Sequence, residues 1–305
     1  MDNNLTYIFI INPAAGKRTL QSEIINQIRT ALPSDRYELY FTTCAGDGTR
    51  IAARCVQNNK NIVIFACGGD GTFFEVINGA AGQVPVGIFP CGSGNDFVKN
   101  IVSAENMLDV QAQLNGKSVP LDLIRCNGNY VANVCNIGFD ADIAYKMNRF
   151  RSLPLVSGKA AYLLATVYCF FRRMGYPMTV QIDDGEPVSG EFLFTVIANG
   201  QTYGGSFRGA PQASVQDGLI DVCLCRKLSR FTLLQFVRAF QQGTYLQKKG
   251  IDRWIQYKKC KKVRVTMPDA TVTGYDGNIA TTSLLEAEII PAAMQLMSPQ
   301  GASLK

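Results

Sequence analysis

Residues 62–75 read Ile62-Val63-Ile64-Phe65-Ala66-Cys67-Gly68-Gly69-Asp70-Gly71-Thr72-Phe73-Phe74-Glu75 and decide the fold of the first part of the chain. The run begins with five residues that have no polar break, which is typical of a strand buried on both faces of a parallel sheet. Three glycines around Asp70 follow, and Thr72 can cap a helix that begins there. A bare loop at a helix N-terminus attracts anions, above all phosphate, and Asp70 could hold a metal ion or take up a proton. The stretch alone also fits an ordinary strand-to-helix turn.

Three more predicted strands end in loops of small residues. Residues 5–11 lead into Asn12-Pro13-Ala14-Ala15-Gly16, residues 37–43 into Gly46-Asp47-Gly48-Thr49, and residues 86–90 into Cys91-Gly92-Ser93-Gly94-Asn95-Asp96-Phe97. Helical spacing of apolar residues separates the strands, so the sequence predicts a parallel sheet covered on both faces. The loops at the carboxyl ends of its strands should then gather in one place. No Walker A motif and no complete Gly-x-Gly-x-x-Gly is present.

The pattern changes near residue 119. Strands are predicted at 119–125, 130–137, 178–182, 192–198, 219–225, 262–267 and 285–290, with helices only at 141–149, 160–173 and 230–242. This is typical of a mainly antiparallel β domain. We therefore predict an α/β domain over residues 1–120 and a β domain over residues 121–289, with the active site in a cleft between them.

Composition excludes several classes of enzyme. The chain of 305 residues contains no histidine, which rules out Ser-His-Asp and Cys-His triads and histidine-ligated zinc. Its 10 cysteines include no Cys-x-x-Cys pair for zinc or redox chemistry, and most of them lie in apolar runs, so a reducing cytoplasm fits best. The N-terminus lacks the basic start of a signal peptide, and the apolar segment 160–171 is shorter than the ~20 residues that span a bilayer. We expect a cytoplasmic protein.

The net charge of +6 is unevenly distributed. Eight cations crowd residues 248–264, which we call the basic segment: Lys248, Lys249, Arg253, Lys258, Lys259, Lys261, Lys262 and Arg264. A solvated face and an anionic partner such as a membrane both fit this segment. Nothing else in the sequence supports nucleic acid as a partner.

Several short motifs run in one family's order over nearly the whole chain. They are Asn12-Pro13-x-x-Gly16, Thr43 with Gly46-Asp47, Gly68-Gly69-Asp70-Gly71-Thr72 with Glu75, Gly92-Ser93-Gly94-Asn95-Asp96-Phe97, Asn136-x-Gly138-Phe139-Asp140-Ala141, and Gly204-Gly205 through Pro211 to Asp217-Gly218-Leu219-Ile220-Asp221. With these motifs the chain resembles the diacylglycerol kinase catalytic family, specifically the small bacterial lipid kinases. The Gly-Gly-Asp-Gly core alone is shared with NAD kinases and phosphofructokinases.

The resemblance implies an activity and a fold. The activity is ATP-dependent phosphorylation of a lipid hydroxyl at the inner face of the membrane, with diacylglycerol as the first candidate. The fold is a Rossmann-like nucleotide domain, a β-sandwich domain and a chain end, residues 290–305, that packs back on the first domain. A homodimer is left open, because dimers are common among the relatives.

The resemblance also assigns site residues. It places ATP on Asn12, Pro13, Ala14, Ala15, Gly16, Thr43, Gly68, Gly69, Asp70, Gly71, Thr72, Glu75, Ser93, Asn95 and Asp96. It implies that Asp70 orders the catalytic Mg²⁺, and that a structural metal lies at Asp217 with the backbone oxygens of Ser214 and Leu219.

The chain departs from the family at one catalytic position. The family's late Asp-Gly-Glu motif, whose Glu is the general base, reads Asp276-Gly277-Asn278 here. Asn278 cannot accept a proton at neutral pH, so Asp276 or Asp70 would have to take that role. An NAD kinase and a catalytically impaired lipid-binding relative remain as alternatives, although the later NAD kinase motifs are missing. The segment 160–171 is either part of an acyl pocket or a buried core helix.

Overall fold

A computed structural model describes residues 5–16, 18–102, 104–151, 158–205 and 207–304. Its contacts divide the chain into two compact units. The first unit contains the chain up to Leu123, the segment Val215–Gly218 and the chain from Ile290 onward. The second unit contains Ile124–Ser214 and Leu219–Ile289.

The first unit alternates strands and helices, as predicted. Its elements are β1 (Thr6–Ile11), α1 (Arg18–Ala31), β2 (Tyr37–Phe41), α2 (Asp47–Asn58), β3 (Ile62–Gly68), α3 (Asp70–Ala80), β4 (Val86–Pro90), β5 (Ile101–Val102), α4 (Val110–Leu114) and the start of β6 (Lys117–Cys126). Strand β3 is buried at every residue, which is why its sequence has no polar break. The chain end contributes Leu296, which pairs in parallel with Val86 of β4, and β15 (Ser303–Leu304), which pairs with β5.

The parallel strands lie in the order β2-β1-β3-β4. From β1 the chain moves outward to β2 on one side and then returns to place β3 on the other side. The order in which the chain adds strands to the sheet therefore reverses between β1 and β3, although all four strands stay parallel. In open α/β sheets, ligands bind beyond the carboxyl ends of the strands at such a reversal.

The second unit is built from antiparallel strands with three helices. Its elements are the end of β6, β7 (Asn129–Val131), β8 (Val134–Gly138), α5 (Phe139–Arg151), α6 (Gly158–Phe170), β9 (Tyr176–Ile182), β10 (Val188–Ala198), β11 (Ile220–Arg226), α7 (Arg230–Gln242), β12 (Ile255–Cys260), β13 (Lys262–Tyr275) and most of β14 (Asn278–Ser298). The strands follow the order β12-β11-β10-β8-β13-β14, and β9 pairs with both β10 and β13. The predicted combination of an α/β unit and an antiparallel β unit is confirmed.

Two details of the predicted strands were wrong. The single strand expected at 130–137 is two strands, because Ala132 and Asn133 give their N–H groups to the carboxylate of Asp276 instead of a neighbouring strand. Strand β12 was missed, because its sequence Ile-Gln-Tyr-Lys-Lys-Cys is too polar to read as a strand.

No helix in the described part of the chain is long and apolar enough to cross a membrane.

Candidate active site

Three loops meet at the carboxyl edge of the parallel sheet. We call them the β1 loop (residues 12–16), the β3 loop (68–72) and the β4 loop (91–97). A Cβ atom on Gly16 would lie 2.0 Å from the carbonyl oxygen of Cys91, and one on Gly92 would lie 2.5 Å from the Cα of Gly69. The Cys91 N–H donates to the Gly68 carbonyl at 2.8 Å. The backbones touch, so only glycine fits at these contacts.

Asn12 ties the β1 loop to the β3 loop. Its Nδ2 donates to the Thr72 hydroxyl at 3.1 Å, and its Oδ1 accepts from the Ala14 N–H at 3.0 Å. The buried Gln21 of α1 donates to the Asn12 carbonyl at 2.8 Å. Gln21 was missed by the sequence analysis, although a glutamine on the apolar face of α1 was a signal for it.

The N-terminus of α3 carries no side-chain cap. The expectation that Thr72 caps this helix was wrong: the N-cap is Gly69, and the buried Thr72 hydroxyl instead accepts the bond from Asn12. The first amides of the helix therefore face the three loops without a competing side chain. An uncapped helix N-terminus with glycine at its cap is well suited to bind phosphate.

The residues around this helix terminus are accessible. Pro13, Ala14, Gly16 and Ser93 are exposed, while the segment 69–71 is half-buried. The β1, β3 and β4 loops thus form an open rim around the half-buried start of α3. We call this arrangement the loop cradle.

The loop after β2 is organised by Asp47. The carboxylate accepts from the Thr43 hydroxyl at 2.7 Å, the Arg50 guanidinium at 2.8 Å and the Thr43 N–H at 2.8 Å. These bonds, first the one from the Thr43 side chain, hold the pKa of Asp47 well below its usual range. Thr43 is exposed and held in one orientation, as expected of a residue that contacts a ligand.

Glu75 faces the loop after β2. Its Oε1 accepts from the Gly46 N–H at 2.8 Å and its Oε2 from the Gly48 N–H at 2.9 Å, so one carboxylate caps the start of α2. A Cβ on Gly48 would lie 2.8 Å from Oε2, which leaves no space for another residue there. The bonds of Glu75 described by the structure position this loop.

Removing the Glu75 carboxylate should loosen the loop that carries Thr43. We expect Glu75→Ala to lower the free energy of unfolding by about 1–2 kcal/mol, as for the loss of a helix cap. Glu75→Gln keeps one acceptor oxygen, so its free energy of unfolding should fall by less. Denaturant unfolding of the wild type and of both variants measures the stability. Equal stability of all three proteins would contradict this role.

Asp70 begins α3 at the cradle. Its Oδ1 accepts from the Phe97 N–H at 3.1 Å, and a Cβ on Gly94 would lie 3.1 Å from its Oδ2. Burial, and next the neighbouring Asp96 carboxylate, raise the pKa of Asp70. Asp96 itself forms an ion pair with Lys99 at 2.5 Å. Two neighbouring carboxylates beside an uncapped helix N-terminus are a donor set that suits Mg²⁺, which often binds through one or two carboxylates and substrate phosphates.

Asp276 lies in the second unit and is enclosed by amides. Its carboxylate accepts from the N–H groups of Ala132 at 2.7 Å, Val134 at 2.8 Å and Asn133 at 3.1 Å. Asp276 itself is buried and sits at a φ of +45° next to Gly277. The carboxylate completes the hydrogen bonding of the break between β7 and β8.

Removing the Asp276 carboxylate should be strongly destabilising. Asp276→Ala leaves three amides without their acceptor, and we expect a loss of about 3 kcal/mol or more in the free energy of unfolding. Asp276→Asn keeps one acceptor oxygen and should be intermediate. Denaturant unfolding of both variants tests this, and a loss within the error of wild type would contradict the structural role.

Asn278 starts β14, at the position where the resemblance expects glutamate. Its Nδ2 is buried and has no hydrogen-bond partner in the described part of the chain. The amide nitrogen is therefore not held by the fold. A carboxylate oxygen at that place would break no hydrogen bond described here.

The segment expected to hold a structural metal is anchored by a residue that the sequence analysis missed. The buried Asp122 accepts from the Gly218 N–H at 2.7 Å and from the Ala292 N–H at 2.7 Å. Among the described residues, no group of three or more His, Cys, Asp or Glu side chains is placed to hold a metal ion. The metal expected at Ser214, Asp217 and Leu219 stays a prediction.

Comparison with known proteins decides the family. The sequence profile described as "Diacylglycerol kinase catalytic domain" matches residues 6–126, and the profile "YegS C-terminal NAD kinase beta sandwich-like domain" matches residues 133–298. The chain belongs to the diacylglycerol kinase-like family of lipid kinases. The resemblance drawn from the motifs is confirmed, and the chain is a kinase by family.

Individual relatives agree with this assignment. The diacylglycerol kinase of Bacillus subtilis is 27% identical over 276 residues, which is 88% of each chain. A crystal structure of a Bacillus anthracis diacylglycerol kinase shares the fold, with a TM-score of 0.68 at 21% identity over 96% of each chain. An Archaeoglobus fulgidus NAD kinase solved with ATP has a TM-score of 0.53 at 10% identity, covering 96% of this chain and 94% of its own. The wider fold is thus shared with NAD kinases.

Proposed function

We propose that this lipid kinase uses ATP and transfers its γ-phosphate to the hydroxyl of diacylglycerol, forming phosphatidic acid. The observation that carries the proposal is the loop cradle, with its uncapped helix N-terminus and Asp70. Phosphoryl transfer depends mostly on positioning and on charge stabilisation, and this site offers both. The B. subtilis relative, which is named diacylglycerol kinase, supports the choice of acceptor.

The ATP phosphates would lie on the loop cradle. The backbone of the β1 loop, the first amides of α3 and the exposed Ser93 are the groups that reach them, and Thr43 reaches them from the neighbouring loop. Asn12, Asn95 and Glu75 act on the shape of these loops. Asn95, at a φ of +48°, donates to the carbonyls of Pro90 and Gly92 at 3.0 Å each.

Asp70 and Asp96 are the residues that would hold Mg²⁺. Burial, and next the Asp96 carboxylate, raise the pKa of Asp70, and a bound cation would offset both effects. The cation, when bound, neutralises charge on the phosphates. Asp70 at the start of α3 and Asp96 in the β4 loop would hold it.

Asp70 would also receive the proton of the acceptor hydroxyl. The carboxylate of Asp276 already accepts three amide bonds and Asn278 cannot act as a base, which leaves Asp70 as the carboxylate at the loop cradle for this role. A loose transition state places little demand on the base, so turnover without the family's glutamate is expected to be slow but measurable.

A diacylglycerol acceptor lies in a bilayer. The proposed function therefore includes peripheral association with the inner face of the cytoplasmic membrane. A homodimer is compatible with this function, and light scattering of the purified protein measures the oligomeric state.

The test is transfer of label from ATP to a panel of acceptors. Purified protein, Mg²⁺ and γ-labelled ATP are incubated with diacylglycerol, monoacylglycerol, ceramide and an isoprenoid alcohol in mixed micelles, with NAD⁺ in a parallel reaction. We expect label in diacylglycerol. Label in NAD⁺ alone would overturn the proposal in favour of the NAD kinase alternative.

A further inference from the structure

Helix α6 faces outward with its large residues. The small side chains of Ala161, Ala165 and Cys169 are buried, whereas Leu163 is 64% and Phe171, just beyond the helix, 71% exposed. At 100° per residue the exposed apolar side chains form one stripe about 140° wide. Its members are Leu163, Leu164, Val167, Tyr168 and Phe171. Helix α6 is thus no buried core helix, which corrects one of the two interpretations of this segment.

Helix α7 repeats this arrangement. Phe231 is 72%, Leu234 60% and Val237 39% exposed, and their spacing of three places them on one face. Only Ala239 and Phe240 of this helix are buried. Both helices belong to the second unit.

One arginine joins the two exposed stripes. Arg230, at the start of α7, donates through Nε to the Phe170 carbonyl at 2.7 Å and through Nη2 to the Arg172 carbonyl at 3.1 Å. These carbonyls flank Phe171, and Arg230 precedes Phe231. Arg230 therefore ties the start of α7 to the chain on both sides of Phe171, and we call the eight exposed apolar residues of both helices the α6–α7 patch.

A cationic cavity borders the patch. It has a volume of about 170 Å³ and is lined by Lys146, Arg172 and Arg173, together with Asp142 and Tyr168 among others. Lys146 and Arg172 lie 5.3 Å and 5.2 Å from the ring centre of Tyr168. None of the three cations forms an ion pair with a carboxylate in the described part of the chain, and Asp142 already accepts from the Tyr176 hydroxyl at 2.5 Å. The cavity therefore carries net positive charge.

The basic segment, by contrast, is partly neutralised. Lys259 pairs with the buried Asp221 at 2.7 Å, Lys262 approaches Glu288 to 3.7 Å, and Arg264 approaches Glu286 to 3.5 Å. These three cations already have carboxylate partners. Among the described residues, none of the exposed large apolar side chains lies in the basic segment, so the cations beside α6 are the ones that adjoin an exposed apolar surface.

We propose that the α6–α7 patch is the face that docks on an anionic phospholipid bilayer. Phe171, Phe231 and their apolar neighbours enter the interface, while Lys146, Arg172 and Arg173 bind lipid phosphates. Charge complementarity selects this partner over a second copy of the chain, because a symmetric dimer through the patch would place like cations against each other. The inference rests on the proposed lipid kinase function and adds the surface and lipid class that it uses.

Vesicle sedimentation without ATP tests the docking face. The full chain should bind vesicles of phosphatidylglycerol in phosphatidylcholine and should bind pure phosphatidylcholine far more weakly. Phe171→Ser and Phe231→Ser should each lower the partition coefficient roughly tenfold. Arg172→Gln should lower it roughly fivefold on anionic vesicles only, and salt should remove that difference.

Matched controls lie elsewhere on the surface. Phe41→Ser removes a phenylalanine of the first unit that is 50% exposed, and Lys249→Gln removes an exposed cation of the basic segment. Both should bind vesicles like wild type. Thermal unfolding checks that all variants fold.

Three outcomes would overturn the inference. They are unchanged vesicle binding by Phe171→Ser/Phe231→Ser, absence of vesicle binding by wild type, and conversion of a wild-type dimer to a monomer by that double variant. Transfer of label to a water-soluble short-chain diacylglycerol is measured in parallel. If that transfer fails while patch-dependent vesicle binding persists, the proposed kinase reaction is contradicted and the docking face is supported.

Discussion

Replacing Asp70 with asparagine should lower the rate of phosphate transfer by about a thousandfold and at the same time stabilise the protein at neutral pH. The rate falls because the variant loses the carboxylate that holds Mg²⁺ and receives the proton. Asparagine keeps the shape of the side chain and an oxygen that can accept from the Phe97 N–H. The start of α3 should therefore remain folded.

The stability gain follows from the direction of the pKa shift. Burial and Asp96 raise the pKa of Asp70 above its value in the unfolded chain. A group with a raised folded pKa favours the folded state below its unfolded pKa and loses that contribution as pH rises through the folded value. At pH 7 the wild-type protein bears the cost of a buried charge, and the variant does not.

Denaturant unfolding at several pH values, without Mg²⁺, measures this effect. The stability difference between Asp70→Asn and wild type should be positive at pH 7 and shrink toward pH 4. Asp35→Asn is the matched control, because Asp35 is exposed on the same unit, and it should change neither rate nor stability. A variant that keeps the wild-type rate, or that is less stable at pH 7, would contradict the role of Asp70.

Introducing glutamate at position 278 should raise the turnover number by about tenfold to a hundredfold. The resemblance to the family implies a general base at this position, and the amide of Asn278 cannot accept a proton. Its Nδ2 has no hydrogen-bond partner in the described part of the chain, so the change removes no bond described at this nitrogen. The added carboxylate supplies a second base. Its contribution to the rate should be lost at acidic pH, where the carboxylate is protonated.

Asn278→Gln is the control for this prediction. Glutamine has the length of glutamate but cannot take up the proton, so its turnover should not exceed that of wild type. Single-turnover transfer to diacylglycerol in micelles separates the chemical step from product release. Equal rates for the Glu and Gln variants would show that position 278 has no role as a base. Transfer seen only in Asn278→Glu would identify wild type as an impaired relative.

The sequence alone predicted those parts of the structure that depend on residues close together in the chain. The apolar run 62–68 and its glycines predicted strand β3 and a loop that leads into a helix, because strand burial and loop geometry are local properties. The helix itself begins earlier than predicted, with Gly69 and not Thr72 at its N-cap. The same holds for helix α7, found at the predicted residues 230–242. The motifs also identified the loops that the fold brings together.

Features that depend on distant contacts were not predictable. The break between β7 and β8 requires the carboxylate of Asp276, which is 142 positions away from Val134. The carboxylate of Glu75 caps a helix that precedes it by 27 positions at Gly48. Helix α6 is apolar all round in sequence, and only its packing through small residues shows that its large residues face outward.

The most direct test of the proposed phosphate transfer uses ATP labelled at either the γ- or the α-phosphate. Each form is incubated with Mg²⁺, protein and diacylglycerol micelles, and the lipid is then extracted into the organic phase. We expect that the γ-label enters the lipid, that the α-label stays in water and that Asp70→Asn lowers the transfer about a thousandfold. Absence of γ-label from the lipid, in a protein that binds ATP, would contradict the proposed transfer.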